Sequence, residues 1–295
     1  MVLPNFLIVG APKSGTTSAY EYLRRHPEVF MPERKEPRFF SSPEDGGIGE
    51  EAEYRALFRG AEGKKAIGEA STLYLYDPDS PRHIRATLGP EVKIVAFLRN
   101  PVDLAYSFWG FNARVGKETL SFREALAKEE ERMTDPVFAR TCVGWVADYA
   151  YTARAKYADQ LERYYVTFEG RNIKVFIFEE FFLPGLPLYP ELCRFLGVSD
   201  DHVPDDRVHN PAGGFRSAWL RRVYRERMAW KEPFKLVLPR AFRRKLMKRL
   251  NRLNLEPRPL PPLDPDLRKS SEAEFGPDVR RVERIIGRDL SKLWF

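Results

Sequence analysis

The segment Gly10-Ala-Pro-Lys-Ser-Gly-Thr-Thr17 constrains this chain more than any other. It follows a short apolar run, Asn5–Gly10, that reads as a buried strand. It precedes an amphipathic pattern with Ala19, Tyr22 and Leu23 on one face. A loop set between strand and helix presents successive backbone N–H groups at a helix N-terminus, where the dipole favours an anion. Gly15 lets the backbone come close, Thr16, Thr17 and Ser18 add hydroxyl donors, and Lys13 adds a point charge. Gly10 and Gly15 keep the spacing of a Walker phosphate loop, but Thr16 stands where that loop requires lysine. The lysine sits inside the loop instead.

The rest of the pattern alternates. Lys65–Gly68, Val92–Leu98 and Ile173–Phe178 read as further strands. Helices are expected over Glu51–Phe58, Pro81–Leu88, from Asn100-Pro101 to about Phe111, over Ser121–Arg132 and over Gly144–Tyr165. Such alternation implies an α/β fold in three layers, with helices on both faces of a central parallel sheet. The 295 residues suit one domain, 1–295, with an insertion. A final helix is expected at about 277–294, where Val279, Val282, Ile285, Ile286 and Leu290 recur at helical spacing. At 43% hydrophobic and 31% charged the chain is not disordered, and no apolar run is long enough to span a membrane. The N-terminus lacks a basic region ahead of its apolar run, which argues against a signal peptide. Cys142 and Cys193 are too few for a disulfide framework, and a reduced, cytoplasmic setting is expected.

Charge is concentrated. Arg216–Arg252 holds fourteen Lys/Arg and two Glu, a net of +12 in a chain of net +7, so everything else sums to −5. A basic helical insertion is expected at about 217–256, with Phe242, Leu246, Leu250 and Leu253 as one apolar stripe. Docking of that stripe on the domain is the preferred reading. Contact with an anionic membrane surface, or with a polyanionic acceptor, stays open.

Two more positions carry chemistry. Arg99 falls at the carboxyl end of a strand, where open α/β sheets place ligand contacts, and Ser107 follows it by two helical turns. The two suit a second phosphate clamp. Glu69 follows the strand candidate Lys65–Gly68, where a carboxylate can take the proton of an acceptor hydroxyl. His202, Asp205, Asp206 and His209 fit no standard metal spacing, and no metal is expected.

Taken together, Lys13-Ser-Gly-Thr-Thr17, Leu98-Arg-Asn-Pro101 with Tyr106-Ser107, Lys35-Glu-Pro-Arg-Phe-Phe40 and Lys156-Tyr-Ala-Asp-Gln-Leu-Glu-Arg-Tyr-Tyr165 resemble the sulfotransferases that use 3′-phosphoadenosine 5′-phosphosulfate (PAPS). Within them the chain is most similar to the heparan sulfate and carbohydrate branch, over roughly residues 5–215 and the C-terminal helix with Trp294. The resemblance implies a P-loop-type fold with PAPS as sulfuryl donor and PAP as product. It implies that Lys13, Ser14, Gly15, Thr16, Thr17 and Ser18 hold the 5′-phosphosulfate, and that Arg99 and Ser107 hold the 3′-phosphate. Arg216, after the Gly213-Gly214 loop, matches a residue that closes over the nucleotide. Glu69 matches the catalytic base, and Lys35 a cation near the transferring group or acceptor. Where the family usually continues with Lys-Thr-Pro after that glutamate, this chain has Ala-Ser-Thr.

The implied reaction is in-line transfer of a sulfuryl group to a hydroxyl or amine, catalysed by positioning and electrostatics. Carbohydrate, lipid, natural product and carrier-tethered acceptors all remain open, and nucleic acid is not expected as a partner. A nucleotide-dependent kinase and a non-catalytic binder of anionic lipid or polymer are the alternatives.

Overall fold

The computed structural model describes residues 2–42, 46–204, 213–215, 255–257 and 260–295, and the chain divides into two compact units. One comprises Met1–Ala105, Thr152–Asn210 and Pro265–Phe295; the other comprises Tyr106–Tyr151 and Pro211–Asp264. The first run of elements is β1 (Phe6–Gly10), α1 (Thr16–Arg25), β2 (Val29–Phe30), α2 (Glu51–Ala56), β3 (Ala66–Ala70), α3 (Ser80–Leu88) and β4 (Lys93–Leu98). There follow α4 (Pro101–Arg114), α5 (Phe122–Ala127), α6 (Glu129–Thr134), α7 (Pro136–Thr141), α8 (Tyr151–Ala155) and α9 (Ala158–Thr167). The chain continues through β5 (Ile173–Ile177), α10 (Phe178–Phe181), α11 (Tyr189–Leu196), β6 (Gly213–Phe215), β7 (Leu255–Pro257) and α12 (Pro265–Ile286).

In the larger unit five strands form one parallel sheet in the order β2-β3-β1-β4-β5. With its flanking helices this is the expected three-layer, P-loop-type α/β/α fold. Every residue of β1 is buried, as a central strand covered on both faces requires. Phe6, Ile8, Val95, Phe97 and Phe176 meet Leu23, Leu192 and Leu196 in one core cluster. Burial of each such side chain contributes about 1.5–3 kcal/mol. Chain order departs from β1 on both sides, so the loop after β1 opens at the switch point of the sheet.

Several local expectations change. β3 runs to Ala70, so Glu69 lies within the strand rather than after it. The helix expected over Gly144–Tyr165 is broken into a 3₁₀ turn at Val146–Tyr149, then α8 and α9. The Gln160 amide donates to the carbonyls of Ala153 at 2.9 Å and Lys156 at 2.6 Å, satisfying the end of α8. Asp278 accepts from the Tyr157 and Ala158 amides at 2.7 and 3.2 Å, which starts α9 afresh. The last helix spans Pro265–Ile286 rather than 277–294 and contains Pro277. Gly276, lacking a Cβ, removes the usual crowding before proline, and Gly287 at φ 66° ends the helix. Leu290 and Trp294 are buried beyond it.

In the second unit the Glu118 carboxylate is almost fully buried. It accepts from Arg132 at 2.6 and 3.2 Å, from the Tyr151 hydroxyl at 3.0 Å and from the Leu120 amide at 2.9 Å. Gly213–Phe215 is a strand paired antiparallel with Leu255–Pro257, not a loop. Arg216 and nearly all of the expected 217–256 insertion lie outside the described residues, and Leu255 and Glu256 are extended rather than helical.

Candidate active site at the carboxyl edge of the sheet

The loop after β1 is held by its neighbours. The Ala11 amide donates to the Phe97 carbonyl of β4 at 2.7 Å, and the Leu75 amide donates to the Val9 carbonyl at 2.9 Å. Gly10 is required by close approach, since a Cβ there would lie 2.7 Å from Leu75 Cβ. Lys13 and Gly15 both take the left-handed conformation, at φ 62° and 78°. This turns the chain so that Gly15 becomes the N-cap of α1. Having no side chain, Gly15 leaves the first turn of α1 without a side-chain cap. Ser14, Thr16 and Ser18 are buried, whereas Lys13, Gly15 and Thr17 are half-buried.

Arg99 closes on this loop. Its Nη1 donates to the Lys13 carbonyl at 3.0 Å, and its guanidinium stacks over the Phe178 ring at 4.8 Å. Its Nε is buried with no hydrogen-bond partner. The next residue, Asn100, caps α4: its Oδ1 accepts from the Val102 and Asp103 amides at 3.0 and 3.3 Å. Its Nδ2 donates to the Trp294 carbonyl at 2.6 Å, and Glu179 accepts from the Asn100 amide at 2.9 Å and from the Trp294 indole at 3.2 Å. Ser107 is half-buried on α4 and belongs to the second unit, so its pairing with Arg99 rests on the resemblance of sequence.

Glu69 is fully buried. Ser71 Oγ donates to its Oε2 at 3.0 Å and itself accepts from the Arg38 amide at 3.0 Å. The serine of Ala-Ser-Thr thus anchors the carboxyl directly. Burial pushes the Glu69 carboxyl up to about 8, against the lowering influence of Tyr74 and Ser71. The segment after β2 is laced to the end of β3: the Glu36 amide donates to the Ala70 carbonyl at 2.9 Å, and Glu36 Oε2 accepts from the Thr72 amide at 3.0 Å. Lys35 Nζ pairs with Glu36 at 2.9 Å. Although burial opposes its ionisation, Lys35 and Arg38 hold the Glu36 carboxyl below the usual carboxylate range.

The structure therefore brings Lys13, Gly15 and Arg99 together around one loop, and Lys35 to the neighbourhood of Glu69. It adds residues that sequence reasoning missed. Tyr54, in α2, gives no signal in the sequence. Ser71 and Tyr74 stand two and five positions after Glu69, where only the mixed polar and aromatic character hints at a role. Among the described residues no group of three His, Cys, Asp or Glu gathers as a metal site would, and Asp205, Asp206 and His209 lie outside them.

A family profile described as "Sulfotransferase domain" matches residues 3–210. The chain is 34% identical over 112 residues to the membrane-associated sulfotransferase kil1 of Dictyostelium discoideum, covering 38% of this chain and 24% of that protein. It is 30% identical over 146 residues to the human heparan sulfate glucosamine 3-O-sulfotransferase 6, covering 50% of this chain and 41% of that protein. It thus spans less than half the length of these curated relatives. A crystal structure of a sulfotransferase from Alicyclobacillus acidocaldarius superposes with a TM-score of 0.74 at 35% identity, covering 99% of both chains. With the phosphate-type loop at the switch point and a family match across more than two thirds of its length, the chain belongs to the sulfotransferase family.

Proposed function

We propose that this protein transfers a sulfuryl group from PAPS to a hydroxyl or amine of an acceptor. The observation that supports it most is the loop Lys13–Thr17, with left-handed turns at Lys13 and Gly15, uncapped amides at α1 and Arg99 closed against it. The residues fit an anionic nucleotide: the first turn of α1 has no side-chain cap, and the buried Arg99 Nε is an unpartnered donor. When bound, PAPS supplies a sulfuryl group activated by its anhydride with the 5′-phosphate.

Lys13, the loop amides and the hydroxyls of Ser14, Thr16, Thr17 and Ser18 hold the 5′-phosphosulfate and stabilise charge on the departing phosphate. Arg99 holds the 3′-phosphate, and the resemblance of sequence assigns Ser107 and Arg216 to the same nucleotide. Lys35 orients the acceptor. Glu69 in its ionised form takes the acceptor proton as the new O–S or N–S bond forms. Its carboxyl is closed to solvent in the resting protein, so base catalysis entails opening of the aromatic wall around it as the acceptor enters. One of the curated relatives is named for sulfation of heparan sulfate glucosamine, which makes carbohydrates the first acceptor class to screen.

Calorimetry with PAP, AMP and ATP·Mg²⁺ tests the reading. Charge-assisted bonds to the 3′-phosphate are worth ~1.5–3 kcal/mol each, so PAP should bind at least about tenfold more tightly than AMP. Tighter binding of ATP·Mg²⁺ than of PAP would indicate a kinase. Absence of all three affinities would leave a non-catalytic binder of anions.

A further inference from the structure

The Glu69 carboxyl sits in a solvent-excluded aromatic cage built from two helices and two connecting segments. Tyr54 comes from α2, Ser71 and Tyr74 from the turn after β3, Tyr164 from α9, and Lys35, Glu36 and Arg38 from the segment after β2. Phe39 stacks flat on Tyr54 with ring centres 4.3 Å apart, and Phe40 meets Tyr54 and Tyr74 edge-on or tilted at 5.2 and 5.6 Å. Glu69, Tyr54 and Tyr74 are all closed to solvent. Within the cage Oε2 of Glu69 is fixed by Ser71, and the Tyr74 hydroxyl accepts from the Phe40 amide at 3.4 Å. Two oxygens are left over. Glu69 Oε1 and the Tyr54 hydroxyl are both buried and both without a hydrogen-bond partner.

One of these oxygens accepts when charged, and the other can donate. We propose that Tyr54 is a positioning residue for Glu69: its hydroxyl turns onto Oε1 when the carboxylate forms, and so sets where in pH that carboxylate becomes available. The inference rests on Glu69 as the proton acceptor of the transfer. The protons balance simply. Neutral Glu69 releases its proton to solvent as pH rises, and the carboxylate then takes the acceptor's proton while the acceptor–sulfur bond forms and the sulfur–phosphate oxygen bond breaks. Tyr54 keeps its own proton throughout, because burial and the neighbouring Glu69 charge push its phenol well above its ordinary value.

The test is a carboxyl-carbon NMR titration of the full chain, with Glu69 assigned by difference against Glu69→Gln. In the unaltered protein the Glu69 midpoint should lie near 8. Tyr54→Phe keeps the ring on Phe39 and removes only the donor, so the midpoint should rise by about one pH unit or more. The pH profile of PAPS-dependent turnover should move with it. Fluorotyrosine at position 54, a stronger donor of nearly the same shape, should lower the midpoint and gives a second reading should the phenylalanine variant fold poorly. A midpoint unmoved in folded Tyr54→Phe, or one that rises with fluorotyrosine, overturns the role of Tyr54. Full turnover in Glu69→Gln overturns instead the assignment of the base, and with it the catalytic meaning of the pair.

Discussion

Gly15→Ala is the most informative single substitution in the loop. Two separable penalties follow from its position. At φ 78° an alanine takes a left-handed backbone, at about 1–2 kcal/mol. The new Cβ would also stand 2.1 Å from a carbon of the Phe182 ring, inside any real contact distance. That ring has little freedom to move, because Phe97, Phe178 and Phe181 lie against it at 5.9, 5.2 and 4.9 Å between centres. Forcing a methyl into such a site costs about 1–3 kcal/mol, so the total should be about 2–5 kcal/mol. Urea unfolding measures it. Gly63→Ala is the control for the backbone part alone: Gly63 has φ 80°, and a Cβ placed there would meet nothing within 4 Å. Phe182→Leu in the Gly15→Ala background should return the ring part and leave the backbone part, giving a coupling of about 1–3 kcal/mol. PAP affinity of Gly15→Ala should fall about tenfold or more as the amides of α1 turn away. Stability of Gly15→Ala within about 0.5 kcal/mol of the parent, or no coupling to Phe182, would refute the reasoning.

Other outcomes follow from neighbouring contacts. Glu69 holds a proton in the folded chain that the unfolded chain releases, so its contribution to stability is complete below about 4.5 and is lost as pH rises through about 8. Relative to Glu69→Gln, the parent should lose about 1.4 kcal/mol per pH unit across that window, read from urea midpoints in a pH series. Asn100→Ala removes the α4 cap and strands the Trp294 carbonyl, and thermal or urea unfolding should show a loss of about 2–4 kcal/mol. Co-sedimentation with vesicles containing anionic lipid tests the segment Arg216–Arg252, which lies outside the described residues; lack of lipid-dependent pelleting at low salt removes the membrane reading.

What the sequence discloses and what it hides divide along the range of the interactions. β1, β4 and β5 are apolar runs bounded by glycine, proline or charge, so local pattern locates them within a residue or two. Val29–Phe30 forms two residues of strand only because Ala66 and Ile67 pair with it, and two residues carry no periodicity. The break between α8 and α9 depends on Asp278, some 120 positions away, and no local reading of Gly144–Tyr165 contains it. The phosphate-type loop is legible because its glycines and lysine act through backbone geometry fixed nearby. The cage of Glu69 is not, since Tyr54 reaches it from another helix and in sequence is one aromatic among many. Arg99 stands out by its place at a strand end, but its hold on the Lys13 carbonyl is visible only in the fold.

The docking of Trp294 against Asn100, across a separation of 194 residues, bears on how the protein is made. A ribosome delivers β1, its loop and the strand that carries Arg99 long before it delivers Trp294 or the Asp278 that begins α9. Until Asp278 and Trp294 emerge, the buried carboxamide of Asn100 and the first amides of α9 have only water or a chaperone for company. The nascent sheet can gather its apolar strands early, yet the edge that bears the loop is completed only after all five strands of the sheet are made. Completion of the edge that bears the loop therefore waits on Asp278 and Trp294, and a ribosome-stalled chain ending before Asp278 should be more protease-sensitive at α9 than one that includes both residues.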